Sequence, residues 1–155
     1  METPITFDAP PHKLWTREEC EALGRAGVLE LERYELICGE VVLKMSRSQP
    51  QMLAKALLAG WLHSVYGGLQ VLSEPSIDLR PEDNLTNDPV PDLIVLNRSV
   101  RELSARPRPE ELWLVTEVSD TSLDSYIFNR KQKYFNKSQA ASSSWMMLRM
   151  DASAL

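Results

Sequence analysis

Pro91-Asp92-Leu93-Ile94-Val95-Leu96 and Leu112-Trp113-Leu114-Val115-Thr116-Glu117-Val118 are the two stretches that decide how this chain folds. Their apolar residues run on rather than alternate, which marks central strands covered on both faces. Each run also carries an acid where an apolar side chain is expected. Asp92 follows directly on Pro91, and Glu117 lies near the end of the second run. A carboxylate in such a place needs a partner, a raised pKa or a metal, because burying it alone is costly. If the two strands are neighbours, both acids lie at one sheet edge and can share a divalent cation, since hard cations such as Mg²⁺ take oxygen ligands. The plainer alternative is a solvated Asp92 at a strand end and a Glu117 held in a structural ion pair.

The elements around these runs build a layered domain. Upstream, Thr16-Arg17-Glu18-Glu19 has capping-box spacing, so a short helix is expected from there to about Gly27. Arg33 to Cys38 and Glu40 to Met45 read as a hairpin about Gly39. From about Gln51 to Tyr66 the period becomes helical. Leu53, Leu57, Trp61 and Val65 form one stripe with Leu58 and Leu62 beside it, which predicts a wide buried face ended by Gly67-Gly68. Leu69 to Leu72 and Ser76 to Leu79 are short strand candidates, and Arg80 to Asn87 reads as a surface loop. Residues 97 to 110 carry Pro107 and Pro109 and are expected to form a loop with a helical turn. A polar helical segment is expected from Ser122 to Lys137, and a last strand at Trp145 to Leu148. The order is that of one α/β (α+β) domain, with residues 1 to 15 as an irregular arm and 16 to 155 as the domain proper.

Composition narrows the function. The 155 residues fit one domain. Seventeen Lys and Arg against 22 Asp and Glu leave a net charge of -5, which disfavours a protein that coats nucleic acid by bulk electrostatics. Two cysteines, Cys20 and Cys38, make no disulfide framework, and with only His12 and His63 a Cys/His zinc site is not expected. The start METPITFDAP lacks signal-peptide chemistry and no apolar run nears the ~20 residues of a membrane span, so a cytoplasmic protein without membrane contact is expected. His63 lies beside the apolar face of its helix and reads as a packed or rim residue. Ser119 and Ser122 have no partnered histidine, so nucleophilic catalysis is not expected. Arg130, Lys131, Lys133 and Lys137 form a basic segment that reads as a solvated face or as a hold on a phosphate backbone.

Four blocks, taken together, carry a family likeness: Tyr34-Glu35-Leu36-Ile37-Cys38-Gly39-Glu40, Met45-Ser46, Pro91-Asp92-Leu93-Ile94-Val95, and Thr116-Glu117-Val118-Ser119-Asp120-Thr121-Ser122-Leu123. In order and spacing they resemble the Uma-two family, grouped with restriction endonucleases in the PD-(D/E)XK nuclease superfamily. The likeness covers about residues 30 to 134. It implies a restriction-endonuclease-like core, a central mixed β-sheet flanked by helices, and Mg²⁺- or Mn²⁺-dependent hydrolysis of DNA phosphodiester bonds. It implies Asp92 and Glu117 as metal ligands and catalytic acids, with Glu35 as a supporting acid in the first hairpin. DNA is then the partner, and a homodimer is open because double-strand cleavage by such folds often uses two sites.

The chain departs from that pattern in several places. Ser119 stands two residues after Glu117, where the superfamily has lysine. A lysine of the following helix is expected to substitute, four residues before a tyrosine. Tyr134 matches the tyrosine, but Arg130 stands at the lysine position with Lys131 next to it. Arginine keeps the charge but cannot serve as a base. Arg47 and Gln51 replace a proline and a helix-opening histidine, and Tyr126 replaces an aspartate. After about residue 124 the pattern is divergent or truncated, with Trp145 matching a tryptophan of the family's last strand. The likeness therefore allows a second function, a catalytically impaired nuclease-fold protein that acts as a DNA- or protein-binding module. An unrelated α/β domain with structural acids is the third.

Overall fold

A computed structural model describes residues 11–44, 47–119 and 146–151 of the chain. Helix α1 spans Arg17–Arg25. Its start is fixed reciprocally: the Thr16 hydroxyl accepts from the Glu19 amide at 3.2 Å, and the Glu19 carboxylate accepts from the Thr16 amide at 2.9 Å. Strands β1 (Tyr34–Ile37) and β2 (Glu40–Leu43) pair antiparallel as a hairpin. Its two turn residues, Cys38 and Gly39, both have positive φ (58° and 78°), the geometry a tight two-residue hairpin demands.

Helix α2 spans Gln49–Tyr66 and opens on a second capping box, between Ser48 and Gln51. It ends at Gly67, whose φ of 91° is open to glycine at no steric cost. Then follow β3 (Val71–Ser73), a single helical turn α3 (Pro81–Asn84), β4 (Leu93–Leu96), β5 (Leu112–Ser119) and β6 (Met146–Asp151). These strands form one sheet in the order β3-β4-β5-β6, antiparallel except for the parallel β5–β6 pair. The fold is thus an α+β arrangement whose main sheet is mixed.

The continuous apolar runs do become the sheet centre. Alternate residues serve two clusters. Leu93, Val95, Leu114 and Val118 pack beneath Ala54, Leu58 and Leu62 of α2. Ile94, Leu96, Leu112 and Val115 face the other way, against Ile77 and Leu79. All four residues of β4 are buried, so neither face of this strand tolerates a polar side chain.

Three expectations need correction. The stripe Leu53, Leu57, Trp61 and Val65 is not core: each is more than half exposed, and α2 meets the sheet through the neighbouring row Ala54, Leu58 and Leu62. Ser76 to Leu79 is no strand. The Ile77 amide bonds Pro89 O and the Asp78 amide bonds Pro107 O, two separate loops rather than one ladder partner. Nor is Arg80 to Asn87 a plain surface loop. Asn87 is 1% exposed, accepting the Cys38 amide at 2.8 Å and donating to Asp83 O at 2.8 Å, so it ties the hairpin to the segment before β4. The helix expected at Ser122 to Lys137 lies outside the described residues. The last strand is present, slightly later than expected. No helix among the described residues is long and apolar enough to cross a membrane.

Candidate functional site

Asp92 stands one residue before β4, where the ladder ends and the main chain rotates. In a regular strand the N–H and C=O of one residue point to the same neighbour. Here the Asp92 N–H bonds Thr116 O of β5 at 3.1 Å, while its C=O accepts from the Glu74 amide just beyond β3 at 3.0 Å. Asp92 therefore joins three strands at one end of the sheet. Its carboxylate is 6% exposed for the residue as a whole and has two partners of different kinds. Oδ2 accepts the Val118 amide at 2.6 Å, and Oδ1 takes a hydrogen bond from the Arg47 guanidinium. The bonds to Thr116 and Val118 bracket Glu117, so the two acids singled out in the sequence lie beside one another on adjacent strands.

Glu117 is half-buried. In register it faces Arg149 of the parallel strand β6. Alternation along β5 sets it on the side of Val115, away from Leu114 and Val118 under α2.

Three further charged residues form a connected set that begins at Asp92. The Arg47 guanidinium also bonds Glu74 Oε1, and Lys55 of α2 brings its ammonium to the same oxygen at 3.2 Å. The Lys55 side chain is only 16% exposed. Glu74 itself has φ 53°, a left-handed conformation that is uncommon for a residue with a side chain. Strained backbone of this kind is kept where the surroundings over-determine it, and functional sites are where it clusters. Partial burial pushes the Glu74 carboxyl up, but the Lys55 hydrogen bond and the charges of Arg47, Lys55 and Lys44 outweigh it and hold the group below its ordinary value.

Glu35 is placed nearby by the hairpin. Its Oε2 accepts the Val90 amide at 3.1 Å, which steadies the segment that leads into Asp92. Glu35 and Glu74 both line a cavity of about 410 Å³ between α1, the hairpin and residues 88–90. Asp88 lines it too. Burial raises its carboxyl above the usual range against the opposing charges of Arg106 and Arg17.

Of the residues expected from the sequence, Asp92 lies next to Glu117 along the main chain of the neighbouring strand, and Glu35 is close in chain connection through Val90. Lys131 and Arg130 lie outside the described residues. Arg47, Lys55 and Glu74 were not among the expected site residues. Lys55 did leave a signal, being the one Lys, Arg, Asp or Glu in the eighteen residues of α2. Glu74 left none, since an acid between Ser73 and Pro75 is ordinary turn chemistry.

Carboxylate oxygens such as those of Asp92 and Glu117 are the ligand type a hard cation takes. Arg47 already acts as a shared positive group for Asp92 and Glu74, so those two carboxylates converge on one cation. Among the described residues no group of three or more His, Cys, Asp and Glu side chains is arranged to hold a metal ion. No protein-family model matches the chain, and no curated protein matches it in sequence.

Proposed function

We propose that this chain is a metal-dependent endonuclease that hydrolyses DNA phosphodiester bonds, with Asp92 and Glu117 holding Mg²⁺ or Mn²⁺. The observation that carries this reading is the pair of hydrogen bonds by which Asp92 brackets Glu117 at the end of two otherwise apolar strands. A purely structural acid at Asp92 would not require a second acid beside it. Support for the reading comes from the segment α2-β3-β4-β5-β6, a helix followed by a mixed sheet, because the sequence likeness implies a mixed sheet flanked by helices.

When bound, the cation would polarise the scissile phosphate and lower the pKa of an attacking water. The chain's own groups have distinct tasks. Val118 N–H fixes the orientation of the Asp92 carboxylate. Lys55 supplies the lysine that Ser119 does not, an ammonium that stabilises charge developing on the phosphate. Arg47 has a fork that matches a phosphate as well as a carboxylate, so DNA can draw it off Asp92 and free Oδ1. Lys131 and Arg130 remain assisting cations on the strength of the family likeness, and Glu35 positions the approach to Asp92.

One observation favours a second reading. Arg47 neutralises Asp92 in the free protein, which is what a nuclease fold that had given up catalysis and kept binding would show. A plasmid-nicking assay with Mg²⁺ or Mn²⁺ separates the two. The endonuclease nicks supercoiled DNA and loses that activity on Asp92→Asn or Glu117→Gln. Absence of cleavage with retained DNA binding leaves the binding module, and cleavage unaffected by either substitution removes both acids from the mechanism.

A further inference from the structure

The outer face of α2 is apolar and, among the described residues, left uncovered. Met52, Leu53, Leu57, Trp61 and Val65 are between 51% and 58% exposed. The helix carries no acid, and Lys55, its one Lys or Arg, is engaged by Glu74. Surface helices of soluble proteins place charge on such a face, so this one is built to be covered.

We infer that it is covered by a second copy of this chain, packed about a two-fold axis. Two observations point to self-association. The first is shape. Leu53, Leu57, Trp61 and Val65 form a ridge at four-residue spacing, and Ala56, Gly60 and Ser64 form a furrow of small, exposed residues at the same spacing beside it. A β-carbon built on Gly60 meets nothing within 4 Å, so the furrow is open. Ridges of i±4 spacing seat in grooves of i±4 spacing on a partner helix. A single patch with both features is complementary to itself, which is what a two-fold interface requires.

The second is area. Five large side chains half exposed present on the order of 500 Å² of apolar surface, at the top of what a monomer usually shows. Two such faces with their small-residue furrows bury about 1,200 Å², the lower end for a specific interface. The dimer does not depend on the nuclease reading, though it would give such an enzyme two active sites.

Sedimentation velocity over a wide concentration range tests it on the full chain. The wild type dimerises reversibly. Leu57→Glu raises the dissociation constant ~30-fold or more, as for a buried hot-spot residue. Gly60→Leu fills the furrow and weakens the dimer to a similar degree, while the added helix propensity raises the monomer's melting temperature by about 2 to 3 °C. A destabilised fold therefore cannot explain its effect. A wild type that stays monomeric overturns the inference, with the face then covered by another segment of this chain or by a different protein. So does either substitution leaving the dissociation constant unchanged.

Discussion

Replacing Asp92 tests whether this carboxylate is the keystone of the sheet end. Asp92→Ala removes both of its hydrogen bonds at once. The Val118 amide, in the buried part of β5, loses its acceptor, and an orphaned buried donor costs about 1–3 kcal/mol. Arg47 loses one of its two carboxylates. Its side chain is 28% exposed and keeps Glu74, so that loss lies nearer the surface-pair range, about 1 kcal/mol. Asp92→Ala should therefore cost about 3 kcal/mol of folding free energy. Asp92→Asn separates the two parts. Its amide oxygen still accepts from Val118, so only the charge facing Arg47 is lost, and the cost falls to about 1 kcal/mol. Urea unfolding at neutral pH, followed by circular dichroism, measures both variants under the same slope. Equal costs for Ala and Asn would refute the role given to the Val118 bond. A loss below about 0.5 kcal/mol for Ala, within the range of an ordinary surface substitution, would refute the pinned Asp92 altogether.

Other perturbations have outcomes of their own. Asn87→Ala leaves the Cys38 amide and Asp83 carbonyl without their partner and should cost about 2–4 kcal/mol, read as a drop in thermal midpoint of ten degrees or so. The Glu74 carboxyl is held below its ordinary value of 4.5, so its contribution is present above that value and is lost as pH falls through the depressed one. Glu74→Gln is accordingly less stable than wild type at pH 7, and the two unfolding curves converge in acid; a gap that persists or widens at low pH would contradict the sign. Lys55→Met, in the nuclease reading, lowers single-turnover cleavage about 100-fold or more while the circular dichroism spectrum is kept, and unchanged cleavage would remove Lys55 from the chemistry. Ser48→Ala breaks the α2 capping box at a cost of about 1 kcal/mol in urea unfolding.

The sheet was legible in the sequence because β4 and β5 have apolar residues on both faces, and only a central strand wants that. The hairpin and α1 were legible for local reasons, since the turn at Gly39 and the capping box from Thr16 to Glu19 carry their own geometry, whereas α2 was legible from its apolar period. Helix α2 shows where periodicity stops informing. Its rows 53/57/61/65 and 54/58/62 adjoin, and both are apolar. The pattern says the helix has a wide apolar face but not which row meets the sheet. The smaller row does so, letting the helix approach closely through Ala54. At the site, Asp92 and Glu117 stood out as acids in apolar runs. Arg47 and Glu74 meet Asp92, and Lys55 meets Glu74, from separate segments, and no local pattern records a meeting of that kind. Asn87 was hidden for the same reason, because its partners at residues 38 and 83 are supplied by the fold.

The central claim is that Asp92 and Glu117 share a divalent cation, and Mn²⁺ binding followed by electron paramagnetic resonance addresses it without needing a DNA sequence. The account predicts one saturable Mn²⁺ per chain, displaced by excess Mg²⁺, lost in both Asp92→Asn and Glu117→Gln, and tightened in Arg47→Ala, where the competing guanidinium is gone. Undiminished binding in the two acid variants, or no saturable binding even in Arg47→Ala, would contradict it.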